Sequence, residues 1–137
     1  MGLYLCVFDG DEELDGVEVG AYEDFGFFRD SIIDSIEGGQ SGCKFPTLML
    51  HSDCDGEWSV EQARRLDREL RSIAQALVNM PPIPFRSSWQ SEVAAKQGLQ
   101  PRNLLESFID VDGQPLLSGL LRLCQVAQQT GQPILFQ

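Results

Sequence analysis

A chain of 137 residues, 42% of them hydrophobic, is long enough to bury a core and too apolar for disorder. Its formal net charge of −11, from 21 acids against 10 bases, argues against nucleic acid or an anionic membrane as partner, because both attract a positive footprint. The excess is confined to one part. Met1 to Glu57 carry 14 acids and 2 bases, a local net of −12, and the remainder carries 7 acids and 8 bases, a local net of +1. A basic partner, or mimicry of nucleic acid, suits this placement, and plain solubility is the competing explanation.

In chain order, LYLCVF (Leu3 to Phe8) is a short apolar run rich in strand formers and reads as a buried strand. The acidic DGDEELDG closes it as a turn, and the alternating GVEVG is its hairpin partner. Tyr22, Phe25, Phe28, Ile32 and Ile36 recur at helical steps, predicting a helix from about Ala21 to Glu37 that stops at Gly38-Gly39. TLML, after a polar loop, reads as a second buried strand. HSDCDGEW then forms a strand-to-helix turn. Ser59 is an N-cap with Gln62 completing a capping box, and Ala63, Leu66, Leu70, Ile73 and Leu77 give the next helix its apolar face. That helix ends before Pro81-Pro82.

PPIPF is an extended connector, and a short helix with Trp89 and Val93 follows Ser87 and Ser88. A further turn carries Leu104 and Leu105, and SFIDV reads as a strand. Pro115 suits the first turn of a helix bearing Leu116, Leu117, Leu120, Leu123, Cys124 and Ala127, stopped by Gly131, and PILF is a last strand. The expectation is a single α+β domain over residues 1–137, with about five strands in a mixed or antiparallel sheet packed with three to four helices.

No apolar run approaches the length of a membrane-spanning helix. The N-terminal stretch lacks the basic segment of a secretory signal, and the myristoylation pattern that begins at Gly2 fails at Cys6. The expected location is therefore the cytoplasm. Cys6, Cys43, Cys54 and Cys124 are scattered without a CxxC pair, so they read as reduced, mostly buried thiols rather than zinc ligands.

The repeated D-x-D-G core, in HSDCDGEW and in FIDVDGQP, first suggests a metal. A helix–loop–helix calcium site needs oxygen ligands at loop positions one, three and five and a glutamate at twelve. Here position one would be His51 in the first stretch and Phe108 in the second, and position twelve of the first would be Gln62. SFIDVDGQPLL also resembles the first motif of haloacid-dehalogenase-type phosphatases. However, Gln114 replaces the expected threonine, only 25 residues follow Asp112, and no lysine follows Lys96. A Cys54 or Cys43 dyad with His51, the single histidine, lacks the electropositive setting that activates a thiol, since Asp53 and Asp55 flank Cys54. The competing class is a small metal- or calcium-binding protein, or a metal-dependent enzyme, using these turns.

MGLYLCVFDGDEELDGVEVGAYEDFGFFRD, FPTLMLHSDCDGEW, FIDVDGQPLL and GQPILFQ together resemble the bacterial immunity protein 70 family of polymorphic toxin systems, over nearly the whole chain. The resemblance implies a small cytosolic α+β protein that binds and neutralises a cognate toxin. It implies no enzymatic activity, no cofactor and no catalytic residues. Antibacterial toxins are often nucleases with basic substrate grooves, which an acidic face can occupy. The partner-binding candidates are then Asp9, Asp11, Glu12, Glu13 and Asp15 from the N-terminal turn, and Asp53, Asp55 and Glu57 from the central one. Trp58 beside them is either a partner-binding anchor ringed by acids or a core anchor over the following helix.

Overall fold

The computed structural model describes residues 2–52 and 55–137. Its sheet has four strands in the order β2-β1-β4-β3, with every neighbouring pair antiparallel. β1 (Gly2–Asp9) and β2 (Glu12–Ala21) form a long hairpin. Its two-residue turn, Gly10-Asp11, places Gly10 at φ 62°, where glycine carries no steric cost. The acidic run expected as a turn is therefore mostly strand. β4 (Ile134–Phe136) pairs with the other edge of β1, and β3 (Glu57–Trp58) extends the sheet by two residues.

Five α-helices accompany the sheet: α1 (Tyr22–Ser35), α2 (Pro46–Met49), α3 (Val60–Leu77), α4 (Ser88–Gln97) and α5 (Leu116–Thr130). The apolar stripes of α1, α3 and α5 meet one face of the sheet. Phe25, Phe28 and Ile32, then Leu66, Leu70 and Ile73, then Leu117, Leu120 and Leu123 join Leu3, Leu5, Val7, Val17 and Val19 in one core. The expected capping box is present, since the Ser59 Oγ accepts the Gln62 N–H at 3.2 Å and Gln62 Oε1 accepts the Ser59 N–H at 2.9 Å.

Two of the five expected strands are absent. The first three residues of TLML belong to α2, a single turn started by Pro46, and Leu50 follows it. Glu69 of α3 caps it, its two carboxylate oxygens accepting the N–H groups of Thr47 (3.1 Å) and Leu48 (3.0 Å). SFIDV starts on the last residue of a 3-10 turn (Leu105–Ser107) and contributes one isolated bridge, Ile109 with Pro115. A strand cannot continue there because Asp110 folds the chain back: its Oδ1 accepts the N–H groups of Asp112 (2.9 Å) and Gln114 (3.0 Å). Two-residue β3, expected as turn, is the fourth strand of the sheet, and there are more helices than expected.

Two buried carboxylates hold segments that have little apolar surface of their own. Glu37 accepts the N–H groups of Gly42, Lys44 and Phe45, closing the polar loop after α1. Asp24 accepts from the Ala21 N–H, the Ser87 hydroxyl and Trp89 Nε1, and pairs with Arg86. It thereby ties the start of α1 to the start of α4.

Burial pushes the Asp110 carboxyl above the usual aspartate range, helped by the Asp112 charge, while the two N–H donors and Arg122 oppose the shift. A raised folded-state value means the contribution of Asp110 to stability is fully present when it is protonated and is lost as pH rises through that value. Asp110→Asn keeps the accepting oxygen without the charge. The stability difference, variant minus native, is therefore expected to grow in the variant's favour as pH rises from the ordinary aspartate value, about 4, through the higher folded-state value. Thermal melts across that range check it, and a difference that shrinks with rising pH contradicts it.

Candidate functional site

Strand alternation divides β1 into two sets. Leu3, Leu5 and Val7 enter the core, so Tyr4, Cys6 and Phe8 point to the opposite face. The register fixes their neighbours. Tyr4 lies opposite Glu18, Phe8 opposite Glu13, and Cys6 stands between Gly16 and Leu135, with Glu57 next across the sheet. Tyr4, Phe8 and Leu135 are half-buried, whereas Glu13, Glu18 and Glu57 are exposed. The result is an open sheet face with an apolar centre, flanked by Glu13 and Glu18 on β2 and by Glu57 on β3. At about 4.8 Å per strand spacing, the two flanks are roughly 14 Å apart.

The centre is held in place by its own chemistry. The Tyr4 ring lies across Gly16, where a Cβ would sit 2.0 Å from the hydroxyl oxygen. Its hydroxyl donates to Glu13 Oε1, and that bond, with burial adding to it, pushes the Tyr4 phenol up to about 12. Cys6 is fully buried in this row, and burial pushes its thiol up. Cys124 is pushed up to about 12 by burial and then by the Asp67 charge. Neither thiol has the lowered pKa of a nucleophile. Cys43 is exposed and donates to the Glu37 carbonyl at 3.3 Å.

The partner-binding candidates divide among several places. Asp9, Asp11 and Glu12 are exposed at the hairpin end, continuous with Glu13 on the open face. Asp55 and Glu57 are exposed at the β3 edge. Asp15 faces the helices instead, in a two-pronged ion pair with Arg122 of α5. Asp53, like Cys54, lies outside the described residues. Trp58 is in the core with no exposed surface. Its Nε1 donates to the Thr47 carbonyl at 3.1 Å, and its ring meets Phe136 edge-on at 4.7 Å. Core packing is thus its observed role, and it offers no surface to a partner in this conformation.

His51 stacks on Phe136 at 4.4 Å, with its ring nitrogens 2.8 Å from the carbonyl oxygens of Ser52 and Glu57. The neutral ring donates one of these bonds and the imidazolium donates both. The histidine thus links the Ser52 carbonyl to the Glu57 carbonyl at the start of β3. Among the described residues, no group of three or more histidine, cysteine, aspartate or glutamate side chains is placed to hold a metal ion, and no helix is long and apolar enough to cross a membrane. The second D-x-D-G turn is built by Asp110 bonding its own backbone, which accounts for that motif without a ligand.

Sequence reasoning missed Glu18, Tyr4, Phe8 and Leu135 as surface residues. The signal was available in GVEVG, whose alternation already turns Glu18 away from the core. LYLCVF hid its open side because both of its faces are apolar.

The family model described as immunity protein 70 matches residues 3–136. The chain belongs to the immunity protein 70 family. It is therefore an immunity protein of toxin systems, a class whose partner is a protein. Comparison with curated proteins and with solved structures finds no match. The open acidic face and hairpin end are accordingly the candidate interface of an immunity protein 70 member.

Proposed function

We propose that this chain neutralises a cognate bacterial toxin in the cytoplasm by binding it through the open acidic face of its sheet, without a catalytic step of its own. The observation that carries this reading is the arrangement of Glu13, Glu18 and Glu57 around Tyr4, Phe8 and Leu135. An apolar centre with a charged rim is the usual anatomy of a protein interface: the centre supplies affinity on desolvation, and the rim steers the approach. Exposed Asp9, Asp11, Glu12, Asp55 and Glu57 extend the negative field beyond the centre. Such a field suits a basic surface, and the substrate groove of a nuclease is the toxin surface it fits best.

The test is co-expression with the toxin domain encoded beside this chain, followed by purification through a tag on the toxin. The expected results are restored growth, a stable complex, and stoichiometric loss of nucleic-acid cleavage by the purified toxin. Persistent toxicity despite soluble expression of this chain rejects the immunity reading. Protection against a toxin that cleaves no nucleic acid rejects the nuclease part alone.

A further inference from the structure

The strongest feature outside the acidic face lies on the solvent side of the helical layer, where charge and apolar surface combine in the opposite sense. A cleft of about 550 Å³ runs between α2 and α3, lined by Lys44, Leu50, His51, Arg65, Arg68 and Glu69 among others. Three fixed cations there face one carboxylate. Both oxygens of that carboxylate, Glu69, are engaged with the Thr47 and Leu48 N–H groups. Lys44, Arg65 and Arg68 make no ion pair among the described residues, whereas Arg64 and Arg71 on the same helix are paired with Glu61 and Asp67. Leu50, at the cleft, is 68% exposed, more than any other large hydrophobic side chain described.

We propose that this cleft is a second binding site, and that its occupant is an acidic peptide segment of a protein partner carrying at least one apolar side chain. The carboxylates meet Arg65, Arg68 and Lys44, and the apolar side chain covers Leu50 and Pro46. A nucleic acid offers similar charge but is disfavoured. A long polyanion meets the repulsion of a chain at −11, whereas a short segment senses mainly the charges within about 8 Å, the screening length at physiological salt. The site does not depend on the toxin reading of the sheet face.

The test is a titration of the full, isotope-labelled chain, followed by its backbone amide NMR, with an unlabelled peptide of alternating glutamate and leucine. Three further probes are a lysine–leucine peptide, inorganic phosphate and a single-stranded oligonucleotide. The expected result is saturable shifts at Lys44, Thr47, Leu50, Arg65 and Arg68 with the acidic peptide, at a Kd of about 10–100 μM. Arg65→Glu with Arg68→Glu is expected to weaken binding at least roughly tenfold, and Leu50→Ser roughly threefold, with melting temperatures unchanged because all three side chains are exposed. Absence of shifts at about millimolar peptide, or equal binding to the charge-reversed variant, overturns the proposal. A response to phosphate or to the oligonucleotide that matches the response to the acidic peptide overturns it too.

Discussion

Asp24→Ala is expected to destabilise the protein by about 3–4 kcal/mol and to lower its melting temperature by roughly 10–15 °C. The side chain is buried at 5% exposure and accepts from three donors: the Ala21 N–H at 2.9 Å, Trp89 Nε1 at 3.0 Å and the Ser87 hydroxyl. Arg86 adds a longer charged contact at 3.4 Å. Alanine removes the acceptor without removing the donors, so each one left away from water carries its desolvation cost of about 1–3 kcal/mol, reduced by whatever water enters. The ring of Trp89, packed against Gly20, would also lose its anchor. Asp24→Asn keeps one accepting oxygen and is expected to lose about half as much. Urea unfolding followed by circular dichroism measures both. A loss below about 1 kcal/mol for the alanine variant would show that α4 is held by packing alone.

The second large effect concerns association. Glu13→Lys, Glu18→Lys and Glu57→Lys together are expected to slow binding to a basic toxin surface by about 10- to 1,000-fold at low salt, because steering acts on the encounter rate. All three side chains are exposed, so little stability is at stake. Glu13 is the partial exception, since it accepts the Tyr4 hydroxyl. Glu18→Lys with Glu57→Lys is therefore the cleaner pair. The apolar centre should behave differently. Phe8→Ala and Tyr4→Ala are expected to raise the dissociation rate with little change in association, because contacts at the centre form after encounter. A charge effect confined to dissociation would move the acids from the rim into the contact itself.

Much of the fold was legible because its period was clean. α1 and α3 carry apolar residues at helical steps, and Gly131 stops α5 as expected at φ 72°. The misreadings fall where the determining contact is distant or the element is short. Four residues of TLML fit a strand or one helical turn equally well, and what decides is Glu69, more than twenty residues away, capping Thr47 and Leu48. FIDV looks like a strand until Asp110 takes two backbone N–H groups.

The site divides in the same way. The sequence located the acids and their excess, but not their directions. Asp15 and Glu13 differ by two residues, yet one faces Arg122 on the helical side and the other faces solvent beside Tyr4, because the hairpin register shifts between Val7 and Phe8. Trp58 could not be assigned from sequence because an aromatic beside acids suits a rim as well as a core. Its indole bond to the Thr47 carbonyl and its packing on Phe136 place it inside.

In the proposed complex, the open face of the sheet, with its glutamates, is what the toxin meets. The most direct measurement is the stopped-flow association rate of the purified toxin domain with the native chain and with the Glu18→Lys, Glu57→Lys variant, at about 50 mM and about 500 mM salt. The expected result is a native rate that falls steeply with salt and a variant rate that starts low and changes little. Equal rates and equal salt dependence for the two proteins, with protection intact, would contradict the claim and place the interface elsewhere on the molecule.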